Sequence, residues 1–255
     1  MSALSETLEL LYSARQRFQT IAADLRYRYR PALLQEGWNR WQRRQAPGSV
    51  SVLRPAEVET DLPVELERLP ESAEALQLWR VWWDRPARWR QEIHLPPGEV
   101  NIQVIDGERW WFYNSREGIV QSNAMIERKA GRKASKSGAP AVTNANHAAA
   151  QMTFLDPSAL LASHDLEVVG RAVHAGREAI AVRARPREDR DPAVDPGFWA
   201  SADAYQLLVD AERGVLLRYA ASFRDTEYAI VSIESVIFDQ SIDESLFAPP
   251  TGPAA

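Results

Sequence analysis

The chain has 255 residues, no cysteine and a formal net charge of −5. The missing thiols exclude disulfides, thiolate metal sites and a cysteine nucleophile, and the acidic balance argues against nucleic-acid binding. This length can bury a core that needs no covalent staple, as one large β domain or two small ones.

Residues 2 to about 16 predict a helix, with Ser2 or Ser5 as its cap. Leu4, Leu8, Leu11 and Tyr12 recur at three- and four-residue spacing and predict one apolar stripe. The N-terminus has no basic stretch leading into an apolar one. No run of about 18 apolar residues follows anywhere. The expectation is a chain without a transmembrane segment, cytoplasmic as written and extracytoplasmic if Met1 is not its natural start. From Phe18 onward, Ile21, Ala23, Leu25, Tyr27 and Tyr29 alternate with polar residues, the pattern of a half-buried strand. Pro31 interrupts, and a stretch through Trp38 and Trp41 reads as a returning strand. Residues 46–75 hold four prolines and six glutamates and read as a solvated connection.

Two aromatic runs come next. The first, Leu76 to Ile93, contains Trp79, Trp82, Trp83 and Trp89; the second, Val100 to Asn114, contains Trp110 and Trp111 beside Phe112 and Tyr113. Pro86 divides the first into two strands, Pro96-Pro97-Gly98 separates the runs, and Asp106-Gly107 signals a tight turn within the second. Successive strand side chains point to opposite faces. The pairs Trp82-Trp83 and Trp110-Trp111 therefore place large rings on both sides of a sheet. Each buried ring removes about 150–250 Å² from water. Both faces must be covered, by a helix, a second sheet or a bound apolar molecule.

Residues 127–147 are small, basic and polar and read as a flexible loop. A short helix is expected at Pro157 to Ser163 with Asp156 as its N-cap. The remainder reads as an antiparallel meander. LEVVGRAV pairs with EAIAVRARP around His174-Ala175-Gly176, AYQLLVD pairs with VLLRYAASF around Asp210 to Gly214, and EYAIVSIESVIFD follows a turn at Asp225-Thr226.

Catalytic signals are weak. His94, His147, His164 and His174 lie far apart and read as surface or loop histidines. Asp189, Asp191 and Asp195 sit in a charged loop whose default is solvation. No cofactor motif is present, and no enzyme is expected. Arg85 stands out because a guanidinium beside so much apolar surface must find oxygen partners or water. It suits main-chain carbonyls, a ligand's polar head, or an exposed turn.

The aromatic runs resemble the bacterial outer-membrane lipoprotein carrier (LolA-like) superfamily, which also includes periplasmic sigma-factor regulators. The resembling elements are Leu78-Trp79 followed by Asp84-Arg85-Pro86, and the run Asp106-Gly107-Glu108-Arg109-Trp110-Trp111-Phe112-Tyr113-Asn114. The last strand, ending in Phe238-Asp239 before SLFAPPTG at Ser245 to Gly252, and the amphipathic first helix are similar too. The resemblance implies a single domain over 1–255, with inserted segments at about 46–75 and 127–151. It implies a mainly β fold with a few helices: a curled antiparallel sheet forming an incomplete barrel with a helical lid. In the carrier the cavity takes acyl chains, and the arginine matching Arg85 helps latch the lid. The expected lack of a leader, the insertions and the greater length depart from the carrier.

Together these readings predict a non-enzymatic binder or carrier of a lipid or other apolar ligand, without cofactor or metal. The ligand-facing residues would be Trp79, Trp82, Trp83, Arg85, Trp89, Trp110 and Phe112. The alternative is a sensor or interaction module that meets a protein partner and holds no ligand.

Overall fold

The computed structural model describes residues 2–34, 36–37, 73–116, 119–122, 154–187 and 202–249. The predicted connection before residue 73, the stretch through Trp38 and Trp41, the 127–151 segment, His147 and the acidic loop with Asp189, Asp191 and Asp195 lie outside them. Among the described residues eleven strands, numbered β1 to β11 along the chain, hydrogen-bond in the order β6-β5-β4-β3-β2-β1-β11-β10-β9-β8-β7. The architecture is mainly β, and the sheet is antiparallel and not closed, as an incomplete barrel requires. No helix among the described residues is long and apolar enough to cross a membrane.

Two compact units divide the chain: Met1–Arg17, Arg28–Ala75 and Pro140–Val231 form the first, and Phe18–Tyr27, Leu76–Ala139 and Ser232–Ala255 the second. In the first unit, α1 (Ala3–Ser13) continues into a 3-10 turn at Ala14–Gln16. Ser2 caps α1, its hydroxyl accepting from the Ser5 N–H at 3.2 Å. The expected stripe holds only at Leu11. Leu4, Leu8 and Tyr12 are exposed, while Thr7, Leu10, Leu11 and Ala14 face the core. Thr7 is tolerated there because its hydroxyl donates back to the Ala3 carbonyl at 2.8 Å.

A 3-10 turn at Pro157–Ala159 leads into α2 (Leu160–Ser163). Asp156 precedes them but does not cap them; its carboxylate takes the Ser158 hydroxyl at 2.8 Å instead. The strands of this unit are β7 (His164–His174), β8 (Arg177–Pro186), β9 (Ala204–Asp210) and β10 (Leu216–Phe223). They pair as expected around the two predicted turns. Six of the eight β10 side chains are buried, including Leu216, Leu217, Tyr219, Ala220 and Ala221. A strand buried on both faces must be covered on both sides, which gives it a near-continuous apolar sequence. Residues 31–34 are helical, so Pro31 opens a helix and does not merely interrupt a strand.

The second unit carries most of β1 (Thr20–Tyr29), together with β2 (Ala75–Asp84), β3 (Arg88–Leu95), β4 (Glu99–Asp106), β5 (Arg109–Asn114) and β6 (Ile119–Ser122). The proline and glycine turns fall where the sequence places them. β1 buries Ile21, Ala23, Leu25, Tyr27 and Tyr29, the alternation read from its sequence. β11 (Thr226–Phe238) follows a turn at Arg224 and Asp225, both with positive φ, one residue earlier than expected. A closing 3-10 turn spans Glu244–Phe247.

Candidate functional site

Strand register in the second unit decides which rings meet. Trp79, Val81 and Trp83 of β2 lie opposite Ile93, Gln91 and Trp89 of β3. Those three β3 residues lie opposite Asn101, Gln103 and Ile105 of β4. Gln103 and Ile105 in turn face Phe112 and Trp110 of β5. Directly paired residues of antiparallel strands project to the same side. Trp79, Trp83, Trp89, Trp110 and Phe112 therefore share one face. Trp82, paired with Arg90, points to the other. Of the predicted aromatic residues, five are brought together and one is not.

The shared face grades from sealed to open. Near β1 the rings pack as core: Tyr27 lies 5.0 Å from Trp79, Phe18 lies 5.6 Å from Trp83, and Trp83 meets Trp89 edge-on at 5.9 Å. Trp83 is 1% exposed and Trp89 2%. Toward β5, Ile93, Ile105, Trp110 and Phe112 are only half-buried. Sequence reasoning missed Gln91, which sits among these rings and is 2% exposed. Its signal was the alternation Trp89, Gln91, Ile93 along RWRQEIHL, which puts all three side chains on one face.

On the opposite face the chain's own C-terminal segment lies beside Trp82, Arg88 and Arg90, while Leu76 and Leu78 are exposed. Arg90 donates to the Leu246 carbonyl at 2.9 Å, and its guanidinium stands 5.9 Å from the Trp82 ring centre. Arg88 bonds Asp84, reaches Glu244 at 3.5 Å and lies over the Phe247 ring. The hydrogen bond to Asp84 is the main cause that raises the Arg88 pKa above its ordinary value. Asp243 accepts from the Ser245 N–H, which holds its carboxyl below the usual range. Between this segment and the sheet is a hollow of about 140 Å³ lined by Thr20, Ala22, Trp82, Ile237, Asp243 and Leu246. Ligand pockets typically enclose about 300–1,000 Å³. This hollow is too small for an acyl chain, and the graded ring face is the better candidate.

Arg85 is placed in the turn between β2 and β3, where it grips the start of β1. Its Nη1 donates to the Phe18 carbonyl at 2.9 Å and its backbone N–H to the Gln19 carbonyl at 3.1 Å. The Gln19 side-chain amide returns a bond to the Arg85 carbonyl at 2.7 Å. On the far side, Asp239 accepts from the Gln19 N–H at 2.7 Å. Arg85→Leu removes a hydrogen bond made by a charged donor, worth about 1.5–3 kcal/mol. Urea unfolding should show a loss of that size, with the strands retained by circular dichroism.

Catalytic constellations do not emerge from the described residues. Among them, no group of three or more His, Asp or Glu could hold a metal. His164 is buried at 1% exposure, not a surface histidine as the sequence suggested. Its Nδ1 lies 2.8 Å from the Ser163 hydroxyl oxygen, and its ring stands edge-on to Tyr205 at 5.0 Å. The Ser163 hydroxyl also stands 3.1 Å from the Ala159 carbonyl, a second acceptor for its single proton.

No protein-family model and no curated protein matches the chain. Solved structures do. MucB overlaps 96% of this chain with a TM-score of 0.51 at 16% identity, and the chain spans 62% of the MucB chain. The Mycobacterium tuberculosis lipoprotein LppX overlaps 95% of this chain and 99% of its own at TM-score 0.45 and 8% identity. A LolA superfamily protein of Nitrosomonas europaea overlaps 97% and 98% at TM-score 0.32 and 9% identity. Of these, the likeness to MucB shows a shared fold, and at 16% identity it speaks for fold alone.

Proposed function

We propose that the chain is a non-enzymatic binder or carrier of a lipid or other apolar ligand, held against the Trp79–Trp83–Trp89–Trp110–Phe112 face of the second unit. The supporting observation is the gradient on that face: the same ring surface that is sealed at Trp83 and Trp89 is left half-open at Trp110 and Phe112. A molecule lying over β4 and β5 completes the cover. Each buried methylene contributes about 0.8 kcal/mol, so twelve give on the order of 10 kcal/mol. An association cost of about 4 kcal/mol or more leaves at most about 6 kcal/mol, a dissociation constant of tens of micromolar.

Native mass spectrometry of gently purified protein and uptake of a fluorescent fatty acid test the proposal. Wild type should bind, and Trp110→Ala should weaken uptake about tenfold while costing less stability than Trp83→Ala, since the Trp110 ring is only partly buried. An absence of bound lipid together with no uptake would sink it. The same face would then be read as the surface of a module that meets a protein partner.

A further inference from the structure

We infer that the ligand carries a neutral carbonyl acceptor, an ester or amide group on an acyl chain, that is received by the Trp89 indole and the Gln91 side-chain amide. This rests on the apolar-ligand reading and sharpens it. Both residues are 2% exposed, yet Trp89 Nε1 and Gln91 Nε2 are buried without a hydrogen-bond partner. The contrast on the same face is Trp79, whose indole N–H donates to Gln77 at 2.9 Å. Buried polar groups in native proteins are almost always paired, and an orphan needs a reason. Trp89 can only donate, and the Gln91 amide offers a donor whichever way it is turned, so the pair asks for an acceptor.

Their placement suits one guest. Alternate residues of a strand stand about 6.6 Å apart and point the same way, so the two donors flank a single stretch of the face. Across the ladder, Trp89 leads through Ile105 to Trp110, and Gln91 leads through Gln103 to Phe112. An acyl chain lying over the half-open rings of β5 would bring its head to the donors by displacing the side chains that seal them. The paired neighbours Val81, Trp83, Ile93, Gln103 and Ile105 carry no charge. None of these strand neighbours could serve a buried carboxylate as counter-ion, and a buried carboxylate left unpaired is costly. A neutral carbonyl takes both bonds without that cost.

The test compares methyl decanoate, decanoate and undecane by their partition from a silicone-oil reservoir into a solution of the full chain, which corrects for water solubility. The ester should be taken up about tenfold better than the alkane, the gain expected of one or two hydrogen bonds, and better than the acid. Gln91→Met and Trp89→Phe should each lower the ratio of ester to undecane uptake toward one, whatever their effect on total uptake. Gln91→Met should also raise the melting midpoint of the ligand-free protein by about 2–4 °C, because it removes a buried orphan. A structural glutamine would lower it. Equal uptake of ester and alkane overturns the donor pair while the apolar face stands. Preference for decanoate overturns the neutral head. Uptake of none of the three overturns both this inference and the reading beneath it.

Discussion

Replacing Trp83 by alanine is expected to cost about 3–5 kcal/mol of stability, the range for emptying a fully packed aromatic site. The ring is 1% exposed and is held edge-on by Phe18 at 5.6 Å and Trp89 at 5.9 Å. Each such aromatic pair adds about 0.5–1.5 kcal/mol beyond the area it buries, and both are lost together. Phe18 leads into β1 and also touches Phe238 at 5.7 Å, so the cavity would open where the ends of β1, β2 and β11 meet. Trp83→Phe should recover much of the loss by keeping a ring in place. Urea denaturation followed by circular dichroism reads the difference. A loss below about 1 kcal/mol for Trp83→Ala would mean that this end of the face is not core, and the division between a sealed end and an open end would fail.

That division was only partly legible in the sequence. Alternation marked β1 correctly, from Ile21 to Tyr29, because a half-buried strand writes its burial into every second residue. Prolines and Asp106-Gly107 marked the turns for the same local reason. The adjacent pair Trp82-Trp83 also announced rings on both faces. What it did not announce was the cover for each. Trp82 is met by Arg90 and by residues such as Leu246, more than a hundred positions along the chain, and periodicity carries no trace of so distant a partner. The α1 stripe was read correctly only at Leu11. Leu4, Leu8 and Tyr12 make the more conspicuous apolar row, yet the helix buries the row containing Thr7, whose polarity is masked by a bond to its own backbone. Gln91 was passed over because a glutamine in an arginine-rich strand reads as solvent-facing until the register shows which side it is on.

Gly214→Ala should be among the most damaging small substitutions in the first unit, at about 2–5 kcal/mol. Two costs combine. The residue has φ of +75°, where an L side chain costs about 1–2 kcal/mol. An added Cβ would also stand 2.2 Å from the Leu10 carbonyl oxygen and 3.3 Å from the Ala14 Cβ, and overpacking of that kind costs about 1–3 kcal/mol. Neither side yields easily. The turn is fixed because the buried Asp210 carboxylate accepts from the Glu212 and Arg213 N–H groups at 2.9 and 2.8 Å and binds Arg177. The helix end is fixed to the same turn because Arg213 donates to the Arg17 carbonyl and Arg17 to that of Glu212. Gly176 supplies the control: its φ is +74°, but nothing lies within 4 Å of the position its Cβ would take. Gly176→Ala should therefore cost the backbone term alone, and the excess of Gly214→Ala measures how closely α1 is seated on the turn. Equal losses for the two variants would show that α1 can move aside freely. Hydrogen exchange should separate the cases, with α1 amides losing protection in Gly214→Ala and keeping it in Gly176→Ala.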